Sequence, residues 1–77
     1  MKEQRLKTRS KIKAICDVDE FEDLLGRTIL SDNAKEMLRL HYLKGKDFRY
    51  IGDLLGYSEN TIKRWHRLSL DRLSAVL

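Results

Sequence analysis

Apolar residues along this chain recur at helical spacing and are punctuated by glycine, never by proline. Phe21, Leu24 and Leu25 fall at i, i+3 and i+4, with Ile29 at i+8. One stripe of a short helix over 20–27 is therefore apolar, with Ile29 just past its end. Asp19 followed by Glu22 resembles a capping arrangement at its start. Ser31 is placed to cap a helix over 32–44 that carries Ala34, Met37, Leu38, Leu40 and Tyr42 and stops at Gly45. Asp47 caps the next, over 48–55, where Phe48, Ile51 and Leu55 share a face before Gly56. Ser58 caps a last helix reaching about residue 76 through Ile62, Trp65, Leu70, Leu73 and Val76. Residues 2–15 are good helix formers, but Leu6, Ile12 and Ile15 share a face only loosely, so this stretch reads as a helix or a basic arm. The pattern predicts an all-α protein, a small helical domain of four to five helices.

The segment from Phe48 to Trp65 has a spacing with a physical cause. Two helices crossing steeply need a residue without bulk where their backbones approach, which is Gly52, and one tolerant of positive φ at the tight turn, which is Gly56. Glycine inside a helix costs about 1 kcal/mol relative to alanine, so Gly52 points to close packing. Ile51, Leu55, Ile62 and Trp65 then lock the crossing from inside. The expected organisation is a basic helix or arm plus a short amphipathic helix over 1–29, and a C-terminal helix-turn-helix over 30–77.

Residues 30–74 resemble region 4 of bacterial sigma-70 factors, and still more the small phage transcription regulators of the RinA and ArpU type. The resemblance is carried by Leu30, MLRLHYLKGKDF and YIGDLLGYSENTIKRWHRLSLDRL. Its most specific part is the ending, where His66, Arg67, Ser69, Leu70 and Leu73 are similar to the family's recognition-helix tail, with serine where alanine is usual. Leu54 departs from the family, which generally has a polar residue there, and residues 1–29 match no family pattern.

Turning Ile62, Trp65, Ser69 and Leu73 inward points Glu59, Asn60, Lys63, Arg64 and Arg67 outward. Such a face can read bases in a major groove: Asn pairs bidentately with adenine, Arg with guanine, and Glu accepts from cytosine. The resemblance implies that Glu59, Asn60 and Arg64 are the base readers. Thr61, Lys63 and Arg67, with the Ser58 cap, are expected to hold phosphates, which position the helix without specifying sequence. Lys44, Lys46 and Arg49 are placed to grip the flanking backbone.

Charge is blocked along the chain rather than mixed. The formal total is +4. Residues 1–16 hold six basic residues against Glu3, net +5; residues 17–30 hold five acids against Arg27, net −4; the remainder is net +3. An anionic partner is favoured, and double-stranded DNA fits best. A face of Glu, Lys and Arg is by itself the ordinary solvated surface of a helix, and the turn grammar is what tips the reading towards DNA. Similarly, the basic start is either a solvated helix or an arm along phosphates.

Seventy-seven residues support one domain at most and no deep catalytic cavity. No Ser, His and carboxylate share a recognisable spacing and no Gly-rich phosphate loop occurs, so no enzyme and no cofactor is expected. Cys16 stands alone, which excludes an internal disulfide and a cysteine-based zinc site and suits a reducing cytoplasm. His41 and His66 have no second ligand at i+4 and read as hydrogen-bonded helix residues, not metal ligands. Trp65, on the Ile62 face, reads as core. Nothing apolar approaches a membrane span.

The expected function is a sequence-specific transcription regulator of a phage or bacterium, in the cytosol or nucleoid. RNA polymerase is a possible further partner and a homodimer is plausible, because one half-site gives weak binding. The alternative is an interaction module that binds RNA polymerase or another regulator without reading DNA. Tyr50, Leu54 and Tyr57 motivate it: either Phe21, Leu24 and Leu25 cover them or a partner does.

Overall fold

The computed structural model describes residues 2–15 and 17–77, and of Lys2 the backbone alone. Cys16, read above as a lone thiol, lies outside the described residues. These residues form five α-helices and no strand: α1 Lys2–Lys13, α2 Val18–Gly26, α3 Asp32–Leu38, α4 Phe48–Leu55 and α5 Glu59–Leu73. A π-helical turn, Arg39–Leu43, continues α3 without a break.

The basic start is a docked helix. Thr8 and Ile12 are buried, and Arg5 donates through Nε and Nη2 to the two carboxylate oxygens of Asp71 on α5, at 2.9 and 3.0 Å. Its inward stripe is Thr8, Ile12 and Ile15, whereas Leu6, expected on that stripe, is 55% exposed. Ile12 and Thr8 are four residues apart and so lie one above the other, while Leu6 is turned towards the edge of the helix.

α2 begins earlier than the apolar spacing suggested, because its cap is Asp17 rather than Asp19. The Asp17 carboxylate accepts the Asp19 backbone N–H at 2.9 Å, and Asp19 and Glu20 occupy the first turn, where the helix dipole favours negative charge. Phe21, Leu24 and Leu25 are buried as their spacing requires. Ile29 is not: it is 86% exposed. The helix has closed at Arg27, so helical phase no longer applies at Ile29, and Thr28 turns inward instead with its hydroxyl donating to the Leu24 carbonyl.

Ser31 accepts from the Ala34 N–H and starts α3 as expected. The single regular helix expected over 32–44 is instead widened after Leu38. The Lys44 N–H reaches five residues back to the Arg39 carbonyl at 3.2 Å, and the Lys46 N–H closes on the Leu40 carbonyl at 3.0 Å, with Gly45 at φ 68°. The wider turn accommodates the uneven spacing of Leu38, Leu40 and Tyr42, and π-helical turns of this kind usually occur as single insertions in α-helices. Arg39, at its start, clamps Glu22 of α2 through two hydrogen bonds of 2.7 and 2.8 Å.

Asp47 accepts from the Tyr50 N–H and Ser58 from the Thr61 N–H, capping α4 and α5. Between these helices Gly56 adopts the left-handed conformation, φ 85°. The Gly56 and Tyr57 N–H groups both donate to the Gly52 carbonyl, at 2.9 and 2.8 Å. A Cβ on Gly52 would lie 2.5 Å from the Tyr57 carbonyl oxygen, so this glycine is required by the backbone of the turn into α5. α5 ends at Leu73, short of the expected 76, and the chain finishes in turns. Every helix contributes to one core, in which Ile12, Phe21, Leu24, Met37, Ile51, Ile62 and Leu73 are almost wholly enclosed. Full burial of such side chains contributes roughly 1.5–3 kcal/mol each.

Candidate functional site

α5 has two chemically distinct faces. Ile62, His66, Ser69, Leu70 and Leu73 are buried, and Trp65 is half-buried, its ring 4.6 Å from that of Tyr57. Opposite them Glu59, Asn60, Lys63, Arg64 and Arg67 are all exposed, as helical phase requires. Glu59, Asn60 and Arg64, the residues expected to read bases, therefore share one accessible surface with Lys63 and Arg67.

The members of that surface differ in how free they are. Lys63 Nζ lies 3.0 Å from the Glu59 carboxylate, an i, i+4 pair with both side chains about half exposed. Such a pair is weak and exchanges readily. Ser58 and Thr61 are engaged in the cap, their hydroxyls 2.9 Å apart. By contrast, the side chains of Asn60, Arg64 and Arg67 have no hydrogen-bond or ion-pair partner among the described residues. Lys44, Lys46 and Arg49 are exposed around the start of α4, and Lys46 Nζ sits 5.0 Å over the Tyr50 ring.

α1 adds residues that the sequence reading did not assign individually. Its Arg9 is a shared wall of two adjoining recesses: one lined also by Arg5, His66 and Arg67, the other by Lys13, Tyr42, Lys46 and Asp47. The two recesses share Arg9 and make a basic groove in two parts, one reaching Arg67 on α5 and the other Lys46 and Asp47 at the start of α4. The signal was present in sequence as Arg5, Arg9 and Lys13 at i, i+4 and i+8.

Beneath this groove the two histidines belong to an aromatic cluster. His41 stacks on Phe48 at 4.4 Å, and its Nδ1–H donates to the Lys46 carbonyl at 2.9 Å. His66 Nε2 is 2.6 Å from the Tyr42 hydroxyl. Burial, reinforced by His41, Arg9 and Lys13, lowers the His66 imidazole to about 4, and burial pushes the Tyr42 phenol up to about 12. Both are neutral near pH 7. Among the described residues no group of three His, Cys, Asp or Glu could hold a metal ion, and no helix is long and apolar enough to cross a membrane.

Tyr50 and Leu54 remain exposed, at 47% and 57%. Phe21, Leu24 and Leu25 do not cover them, being enclosed in the core. Tyr57 is partly covered by Trp65, and its hydroxyl accepts from the Asn33 side chain at 3.2 Å. No family model, curated protein or solved structure matches this chain.

Proposed function

We propose that this chain is a non-enzymatic, sequence-specific double-stranded DNA-binding protein of the helix-turn-helix type, acting in a bacterial or phage-infected cytoplasm as a transcription regulator. One observation carries the reading: Asn60, Arg64 and Arg67 stand exposed and unpaired on one face of α5, just beyond a turn held tight by Gly52 and Gly56. A helix presented this way suits a major groove, with Asn60 and Arg64 chemically able to fork onto adenine and guanine. Glu59 joins them once it exchanges Lys63 for a cytosine amino group. Lys44, Lys46, Arg49, Lys63 and Arg67 hold phosphates, and the Ser58 and Thr61 hydroxyls lie at the same helix end. The resemblance of residues 30–74 to sigma region 4 and to RinA- and ArpU-type regulators supports the same assignment. A second copy of the chain and RNA polymerase are the protein partners that this reading accommodates.

The test is selection of duplexes from a random-sequence pool by the full chain. Enrichment of one short motif supports the reading, and the absence of any duplex binding at low salt overturns it. In that event the exposed Tyr50 and Leu54 favour the other reading, a module that binds RNA polymerase or another regulator without touching DNA.

A further inference from the structure

Three arginines in the described residues are half-buried rather than exposed: Arg5, Arg9 and Arg39. Two are neutralised across a helix interface by a carboxylate gripped through two hydrogen bonds, Arg5 by Asp71 and Arg39 by Glu22. Arg9 has no such partner. Its Nε is buried without a hydrogen-bond acceptor, and, Asp47 apart, the groups lining the two recesses beside it are cationic or neutral. Lys13, Lys46 and Arg67 share its groove, His66 and Tyr42 are uncharged, and Arg5 is already consumed by Asp71. The one remaining acid in the groove, Asp47, accepts from the Tyr50 N–H as the cap of α4.

A guanidinium drawn partly out of water beside like charges is costly unless an anion completes it. The chain supplies a hydrogen-bonded carboxylate to Arg5 and to Arg39 and none to Arg9, which lies between Arg67 on α5 and the start of α4.

We propose that the groove walled by Arg9, Lys13, Lys46 and Arg67 is a phosphate-binding channel for the DNA backbone flanking the bases that α5 reads, which makes α1 a second clamp on the duplex. This rests on the DNA-binding reading and extends it to a helix outside the motif. Arg67 stands where the two surfaces meet, one turn beyond Lys63 and Arg64 on α5. A strand leaving the reading face passes Arg67, reaches Arg9 and Lys13, and runs on towards Lys46. Arg9 is suited to the centre of the channel because a guanidinium presents a rigid fork of donors to phosphate oxygens.

The experiment measures the affinity of the full chain for a random-sequence duplex over a series of salt concentrations, for the wild type and for Arg9→Gln, Arg9→Lys and Lys13→Gln. Each glutamine variant should bind about eight-fold more weakly at 0.1 M salt and make the slope of log K against log salt shallower by about 0.9, one phosphate contact each. Arg9→Lys should keep the wild-type slope. Lys13 is exposed, so its replacement leaves packing intact and guards against misfolding at Arg9. If the wild type binds and both glutamine variants retain its slope, the channel is overturned while the DNA reading stands; weaker binding at an unchanged slope overturns it equally, marking a structural role. If the wild type binds no duplex, both fall.

Discussion

The Tyr42 hydroxyl and His66 Nε2 lie 2.6 Å apart, joining the π-helical turn to α5 directly beneath the basic groove. Neither group is charged near neutral pH, since burial holds the imidazole at about 4 and the phenol at about 12. The contact is a neutral hydrogen bond within the protein.

Acid should therefore destabilise the fold through His66. Its folded pKa is below the unfolded value of 6.5, so between about 6.5 and 4 the unfolded chain binds the extra proton and stability falls as pH falls. A full shift of that size corresponds to about 3 kcal/mol, since each pKa unit is worth about 1.4. Denaturant titrations at pH 7 and 4.5 should differ measurably in the wild type and much less in His66→Phe, where the slope with pH is the readout. Below that window Asp71 and Glu22 add to the loss: their hydrogen bonds to Arg5 and Arg39 hold both carboxyls below the ordinary range, and that stabilisation disappears as they protonate.

Gly52→Ala should destabilise although alanine is the better helix former. Propensity favours the change by about 1 kcal/mol. The new Cβ would meet the Tyr57 carbonyl oxygen at 2.5 Å, and that oxygen is backbone that can move only by opening the turn. Overpacking of this kind costs about 1–3 kcal/mol, so a net loss is expected, and a raised melting temperature would refute the close approach.

On the proposed DNA-binding reading, Arg64 and Lys63 separate reading from gripping on α5. Arg64→Ala should cost about 1–3 kcal/mol on a selected duplex and relax preference at one base pair. Lys63→Ala should weaken selected and scrambled duplexes alike and make the salt slope shallower by about one. It also releases Glu59, its partner at 3.0 Å, so any change in base preference with Lys63→Ala would assign that preference to the Glu59 carboxylate.

Ile12→Ala tests whether α1 belongs to the folded unit. Ile12 is enclosed in the same core as Phe21 and Leu73, so truncation should cost roughly 2–5 kcal/mol. A single cooperative transition at lower denaturant is expected, whereas unchanged stability would make α1 dispensable to the core.

The caps and glycines were readable in sequence because they act locally. Ser31, Asp47 and Ser58 accept from the amide three residues on, and Gly45 and Gly56 have positive φ, each decided within one turn of chain. The exposed face of α5 followed from phase alone. What was not readable depended on distant partners or on broken phase. Leu6 lies outside the core because α1 docks through Thr8 and Ile12, while its Arg5 pairs with Asp71, 66 residues away. Ile29 was counted in helical phase beyond the residue where the helix closes. The groove around Arg9 joins α1 to elements more than thirty residues away, so sequence spacing gave the stripe of cations but not the wall they face.

The π-helical turn makes the length of one segment as much a constraint as its composition. Arg39–Leu43 holds one residue more than a regular helix would spend there, and that surplus sets the angle at which His41 and Tyr42 leave the axis. Removing a single residue from this turn would restore ordinary helix and leave the phase of everything beyond it nearly unchanged, because the turn already absorbs one surplus residue. The same deletion within α3, where there is no surplus, would rotate everything after it by about 100°. Tyr42 would then leave His66, and Lys46 would swing off the groove. The π turn is an expansion joint, able to give up one residue that the regular helix before it cannot spare.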